Sequence, residues 1–121
     1  MIGGGVIALI FHITEAKRWE AANEAGSYQP EMFATEGFIH CSTRDQVITV
    51  ADARFRGQQG LVLLLIDTDK VKPEIVYENL EGGAQLFPHI YGELNTDAVV
   101  EVAPFEPCAD GYFKLPASSE G

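Results

Sequence analysis

Basic residues are scarce in this chain: 8 Lys and Arg stand against 18 Asp and Glu, for a net charge of −10 over 121 residues. Nucleic-acid binding needs cationic side chains that neutralise phosphates, and a chain this acidic repels a polyanion at long range. Nucleic acid is therefore not an expected partner, whereas a small anion held in one local pocket remains compatible. Long apolar runs are also missing. The longest, Val6 to Phe11 and Leu61 to Ile66, fall far short of the roughly 20 residues that span a bilayer, so no membrane partner is expected. The opening MIGGGVIALIF lacks a basic region and a cleavage site, and Ile2 stands where myristoylation needs glycine. These absences predict a cytoplasmic protein. Only two cysteines occur, Cys41 and Cys108, and they form no CxxC, which argues against a disulfide framework. Gly3 to Gly5 precede a strand-like run instead of following one, so they are not a dinucleotide fingerprint.

The remaining composition, 46% apolar and 21% charged, fits one globular domain with one core. We place that domain at residues 1–116 and expect the tail ASSEG, residues 117–121, to fray. Val6 to Ile13 reads as a strand buried on both faces, because its apolar run is continuous. Thr14 is placed to cap a helix through about Ala25 that Gly26 stops, with Trp19 and Ala22 on its inner face. GSYQPEMFATEG reads as a loop with one helical turn begun by Pro30. A strand follows at Phe38 to Cys41. Thr43 and Gln46 fit a capping box for a helix to about Phe55, with Val47, Val50, Ala51 and Arg54 at helical spacing. LVLLLID is a central strand, EIVYEN a half-exposed one available as an edge, and DAVVEVAPFEP the last. Asp67 and Asp69 flank a strand end and read as turn caps, not a Mg²⁺ site. Helices and strands alternate early and strands dominate late, which predicts an α+β fold with a mixed sheet.

The chemistry concentrates at three histidines. His12, His40 and His89 each end an apolar run, in FHIT, IHCST and HIYG, with a hydroxyl-bearing residue shortly after. Side chains two apart on a strand share a face, which groups His12 with Thr14, His89 with Tyr91, and His40 with Ser42 and Phe38. One histidine at a strand end is usually a satisfied structural group. Three in one small domain point to a shared cleft. The histidines lie 28 and 49 residues apart and match no ligand spacing, so no metal is expected. A Cys41 nucleophile with His40 as base fails because adjacent strand residues face opposite ways; Cys41 is expected to face the core. Ser42 and Thr43 can simply cap the helix that follows. With Arg44 they can also cradle a phosphate or carboxamide at the helix N-terminus. These last two readings are compatible.

Four ordered blocks, IFHITEAKRWEAA, FATEGFIHCST, LVLLLID and FPHIYGEL, closely resemble domain-of-unknown-function family 952 over about residues 8 to 104. That family's fold looks like the ADP-ribosyltransferases and RNA 2′-phosphotransferases. The resemblance implies a largely antiparallel split sheet with two main helices and a cleft for NAD or ADP-ribose-like groups. It implies a nucleotide-like small molecule as partner, NAD as a candidate substrate and no resident cofactor. It places His12 against a ribose hydroxyl, and His40, Ser42 and Thr43 around the leaving group. Tyr91 and Glu93 fall in the block that often carries a catalytic glutamate. His12, His40 and Tyr91 are thus the implied catalytic residues, and Thr14, Ser42, Thr43, Arg44 and His89 the implied ligand-binding ones. The family block commonly reads Gly-Pro-Leu where Glu93 stands, so this glutamate departs from the pattern and reads as incidental. Without it, a non-catalytic small-ligand module or histidine-based phosphotransferase chemistry stands beside the transferase reading.

Overall fold

The structure, a computed structural model, describes residues 8–116. The expected start of the first strand at Val6, the glycines at 3–5 and the tail at 117–121 lie outside the described residues. Among the described residues eight strands and three α-helices follow in chain order, with two short 3-10 turns at Thr68–Lys70 and Thr96–Ala98: β1 (Leu9–Glu15), α1 (Ala16–Ala25), β2 (Ser27–Tyr28), α2 (Phe33–Glu36), β3 (Ile39–His40), α3 (Arg44–Arg54), β4 (Leu61–Asp67), β5 (Glu74–Glu78), β6 (Phe87–Tyr91), β7 (Leu94–Asn95) and β8 (Val99–Pro104). The class is α+β, as predicted. The mixed sheet is not found. The strands form three sheets, ordered β1-β4-β8, β3-β6-β5 and β2-β7, and every pair among them is antiparallel. A parallel pair needs a crossover, usually a helix. Here α1 leads instead into β2, which pairs in a sheet of its own with β7.

Strand β4 sits in the middle of the first sheet, and its unbroken apolar run has a direct cause. Leu64 and Ile66 pack with Ile10, Trp19 and Tyr28 on the α1 side. Leu61, Leu63 and Leu65 pack with Phe11, Ile13, Val47 and Ala51 on the α3 side. Both faces are covered, so alternation is lost. Helix α1 ends as expected, with Gly26 at φ 90° and its N–H bonded to Ala22 O at 2.8 Å. Its start differs. Thr14 stays in β1, paired with Val62, and Glu15 takes the cap position without a side-chain bond.

Helix α3 has the predicted capping box, with Thr43 N–H donating to Gln46 Oε1 at 2.9 Å. Its inner face is narrower than the spacing implied. Val47 and Ala51 are buried, whereas Val50 is half-buried and Arg54 exposed. Gln46 is buried as well, because its amide reaches across to Leu86 O at 2.6 Å. Asp67 caps a short turn, accepting from Asp69 N–H at 2.9 Å, and β5 is an edge strand. Among the described residues no helix is long and apolar enough to cross a membrane.

Leu64 is fully buried on β4. Leu64→Ala is therefore expected to cost about 2–5 kcal/mol in urea unfolding, whereas Val100→Ala, on the exposed part of β8, costs less than about 1 kcal/mol.

Candidate functional site

Among the described residues the two larger sheets are joined by one backbone bridge. Phe11 N–H donates to Ser42 O at 2.7 Å, and Ser42 N–H returns to Phe11 O at 2.8 Å. This is an isolated bridge: past Phe11 the two strands no longer pair. The ring of His12 fills the place where the ladder ends. Its Nδ1 lies 2.6 Å from His40 O and its Nε2 lies 2.7 Å from Tyr28 Oη. Tyr28 Oη lies 2.9 Å from Thr14 Oγ1.

The proton positions in this chain follow from its end. A carbonyl only accepts, so Nδ1 carries the proton. Burial drives the His12 pKa down to about 4, so the ring is neutral at pH 7 and Nε2 accepts. Tyr28 then donates to Nε2, and the Thr14 hydroxyl donates to Tyr28. Burial, the main cause, likewise pushes the Tyr28 hydroxyl up to about 12, which keeps it a donor. Trp19 packs on Tyr28 with ring centroids 6.3 Å apart and belongs to the core. Cys41 faces the same core, and burial pushes its thiol well above the usual range.

A second layer of polar groups lies on β3 and β6. His40 and His89 are directly opposite in the register, so both side chains stand on one face. Their ring centroids are 5.2 Å apart. Phe38 stacks on His89 at 4.2 Å and meets His40 edge-on at 4.7 Å. Each imidazole has its own carboxylate. His40 Nε2 donates to Glu36 Oε1 at 2.9 Å, and His89 Nδ1 donates to Glu78 Oε2 at 2.8 Å. Glu78 also accepts from the Tyr91 hydroxyl. These two donors, Tyr91 first, hold the Glu78 carboxyl below its usual range, and the same bond raises Tyr91.

Between the diverging strands opens a cleft of about 460 Å³, within the range of small-molecule sites. His12, Thr14, His40, Ser42 and His89 all line it, so five of the eight sequence-predicted residues share one cavity. The other three do not. Thr43 is committed to the capping box, Arg44 lies with its guanidinium 5.7 Å from the Phe11 ring, and Tyr91 sits behind Glu78. Glu93 is outside as well, accepting from Ser27 Oγ at 3.0 Å. Sequence reasoning missed Tyr28, Glu36 and Glu78. The four-residue spacing of Glu36 and His40 was a signal. Glu78 had none, since it reaches His89 only through the β5–β6 pairing. Among the described residues no group of three or more His, Cys, Asp or Glu side chains is placed to hold a metal.

The burial of neutral His12 has a measurable consequence. An unfolded histidine takes its proton near pH 6.5, and the folded His12 only near pH 4. Between those values the unfolded state binds more protons, so stability falls as pH drops from about 6.5 to about 4. The loss is on the order of 3 kcal/mol. Urea unfolding at pH 7 and pH 4 is expected to show a drop larger by roughly that amount in the wild type than in His12→Gln.

Residues 13–102 match the family described as protein of unknown function DUF952. Among solved structures, the crystal structure of protein CC0527 from Caulobacter crescentus is 33% identical, with a TM-score of 0.80 over 88% of this chain and 94% of that one. The solution NMR structure of CC0527 is 34% identical, with a TM-score of 0.78 over 88% and 92% of the two chains. Among curated proteins none matches. The match covers well over half of the chain, including β3, β4 and β6, and the chain belongs to the DUF952 family.

Proposed function

We propose that the cleft between β1 and β3 binds a small nucleotide-like ligand of the NAD or ADP-ribose type. The observation that carries this reading is the split itself: the sheet opens beside a polar floor whose own hydrogen bonds are already made. His12, Tyr28 and Thr14 satisfy one another, so the floor is rigid before a ligand arrives, which lowers the cost of ordering on binding. Two polar atoms of the lining are left over. Ser42 Oγ and His89 Nε2 make no hydrogen bond within the described residues, and no fully buried side-chain nitrogen or oxygen there lacks a partner. Both residues line the cleft.

Charge along the cleft is uneven in a way that suits such a ligand. Glu36 and Glu78 stand with the aromatic wall of Phe38, where an aromatic or cationic ring is favoured. Arg18 and Arg54 are the arginines of the lining. Both are exposed and only loosely paired, with Glu31 at 3.7 Å and Glu81 at 3.5 Å. Exposed pairs of this kind are weak, so either guanidinium is available to a phosphate. Binding without turnover is the second reading. The position of Glu93 favours it, because the carboxylate in the block expected to carry a transferase glutamate is engaged with Ser27 outside the cleft.

Thermal-shift titration with NAD, ADP-ribose and nicotinamide tests the reading. A ligand at about 100 times its dissociation constant adds roughly 2.7 kcal/mol, or a rise of roughly 10 °C for a domain of this size. The expected result is a shift with NAD or ADP-ribose that shrinks in Ser42→Ala. No shift up to millimolar ligand removes the reading. Nicotinamide release on incubation with NAD separates the enzyme from the binder.

A further inference from the structure

Two carboxylate–imidazole pairs face each other across β3 and β6, and a floor histidine beside them is locked. His12 uses both ring nitrogens on protein partners. His40 and His89 each use one, Nε2 on Glu36 and Nδ1 on Glu78. That leaves His40 Nδ1 and His89 Nε2 as the imidazole nitrogens of the cleft with no protein partner. A carboxylate on one nitrogen fixes the tautomer and orientation of the ring and leaves the other nitrogen ready for proton transfer. The two rings differ in depth: His89 is buried and His40 is exposed. The titratable groups facing them are Glu36 and His89 for His40, with His12 behind it, and Glu78 and His40 for His89, with Tyr91 acting through Glu78.

From this arrangement we infer that His40 and His89 are an acid–base pair for hydrolysis of a substrate with an uncharged carbon electrophile and an oxygen leaving group, positioned by Glu36 and Glu78. Neither carboxylate touches the substrate in this scheme, so both are positioning residues. The inference rests on the proposed function only in taking this cleft as the ligand site.

Depth assigns the roles. Neutral His89, with Nε2 open, takes a proton from water as the water oxygen bonds to the electrophilic carbon. The bond from that carbon to the leaving oxygen breaks, and the oxygen takes the Nδ1 proton of His40, which enters the step as the imidazolium with its Nε2–H on Glu36 and leaves it neutral. The products are the hydroxylated carbon and the free alcohol. The proton gained by His89 and lost by His40 re-equilibrates through solvent. An anionic phosphorus centre fits this end of the cleft poorly. The charged side chains bonded to the two imidazoles are both carboxylates, Glu36 and Glu78, whereas Arg18 and Arg54 pair with Glu31 and Glu81.

The test uses the full chain with p-nitrophenyl acetate, p-nitrophenyl riboside and p-nitrophenyl phosphate. The expected result is turnover of the acetate or the riboside above the rate of free imidazole at equal concentration. Its pH profile is bell-shaped, and the phosphate is untouched. The two neutral probes separate acyl from glycosyl carbon. His40→Gln and His89→Gln each lower the rate by about 100-fold, the scale of general acid–base catalysis. Glu36→Gln and Glu78→Gln lower it less and move the limbs of the pH profile. If His89→Gln fails to fold, the exposed His40 and its Glu36 variant decide the matter. Rates no faster than free imidazole, turnover of the phosphate alone, or unchanged rates in His40→Gln overturn the inference. A shift with NAD but no turnover of either neutral probe removes this pair alone. Turnover without any NAD shift removes the nucleotide reading alone.

Discussion

Where β1 leaves β3, a side chain takes over from the backbone. The last shared ladder bonds are those between Phe11 and Ser42, and the next link across the gap is the ring of His12 donating to His40 O. An imidazole reaches farther than a peptide group, so the strands can diverge and stay tied. In the neutral Nδ1–H ring Nε2 is the acceptor. Burial enforces neutrality, and Tyr28, held in turn by Thr14 and packed on Trp19, supplies the proton that Nε2 needs.

The rest of the cleft hangs on this link. His40 has a backbone carbonyl fixed by His12 and a side chain fixed by Glu36. Its partner across the register, His89, is fixed by Glu78 and by stacking on Phe38. The floor is buried and neutral, while the wall runs from buried His89 to exposed His40 and carries the carboxylates. In a low-dielectric floor an unpaired charge is costly. The structure therefore separates a histidine with both ring nitrogens on protein partners from two that each use one.

Much of the scaffold was readable because its causes are local. The Gly26 stop, the Thr43–Gln46 box, the two-sided burial of β4 and the edge position of β5 each follow from residues close together in the chain. The grouping of His12, Thr14, His40, Ser42 and His89 followed from strand ends and side-chain parity. What failed depended on distant partners. Thr14 looked like a helix cap until Tyr28 claimed its hydroxyl, and Arg44 looked like a ligand group until it lay over Phe11. Tyr28 was hidden in an apparent loop, because the two-residue β2 is a strand only by pairing with β7. The mixed sheet failed for the same reason: strand direction is set by pairings that no short window contains.

Nitrogen-15 NMR of the imidazole rings, followed from pH 7 to pH 4, tests the tie most directly. The account predicts that His12 is the Nδ1–H tautomer and stays neutral down to about pH 4, with Nε2 shifted by an accepted hydrogen bond that disappears in Tyr28→Phe. An Nε2–H tautomer for His12, or protonation near the ordinary histidine value of about 6.5, would contradict it.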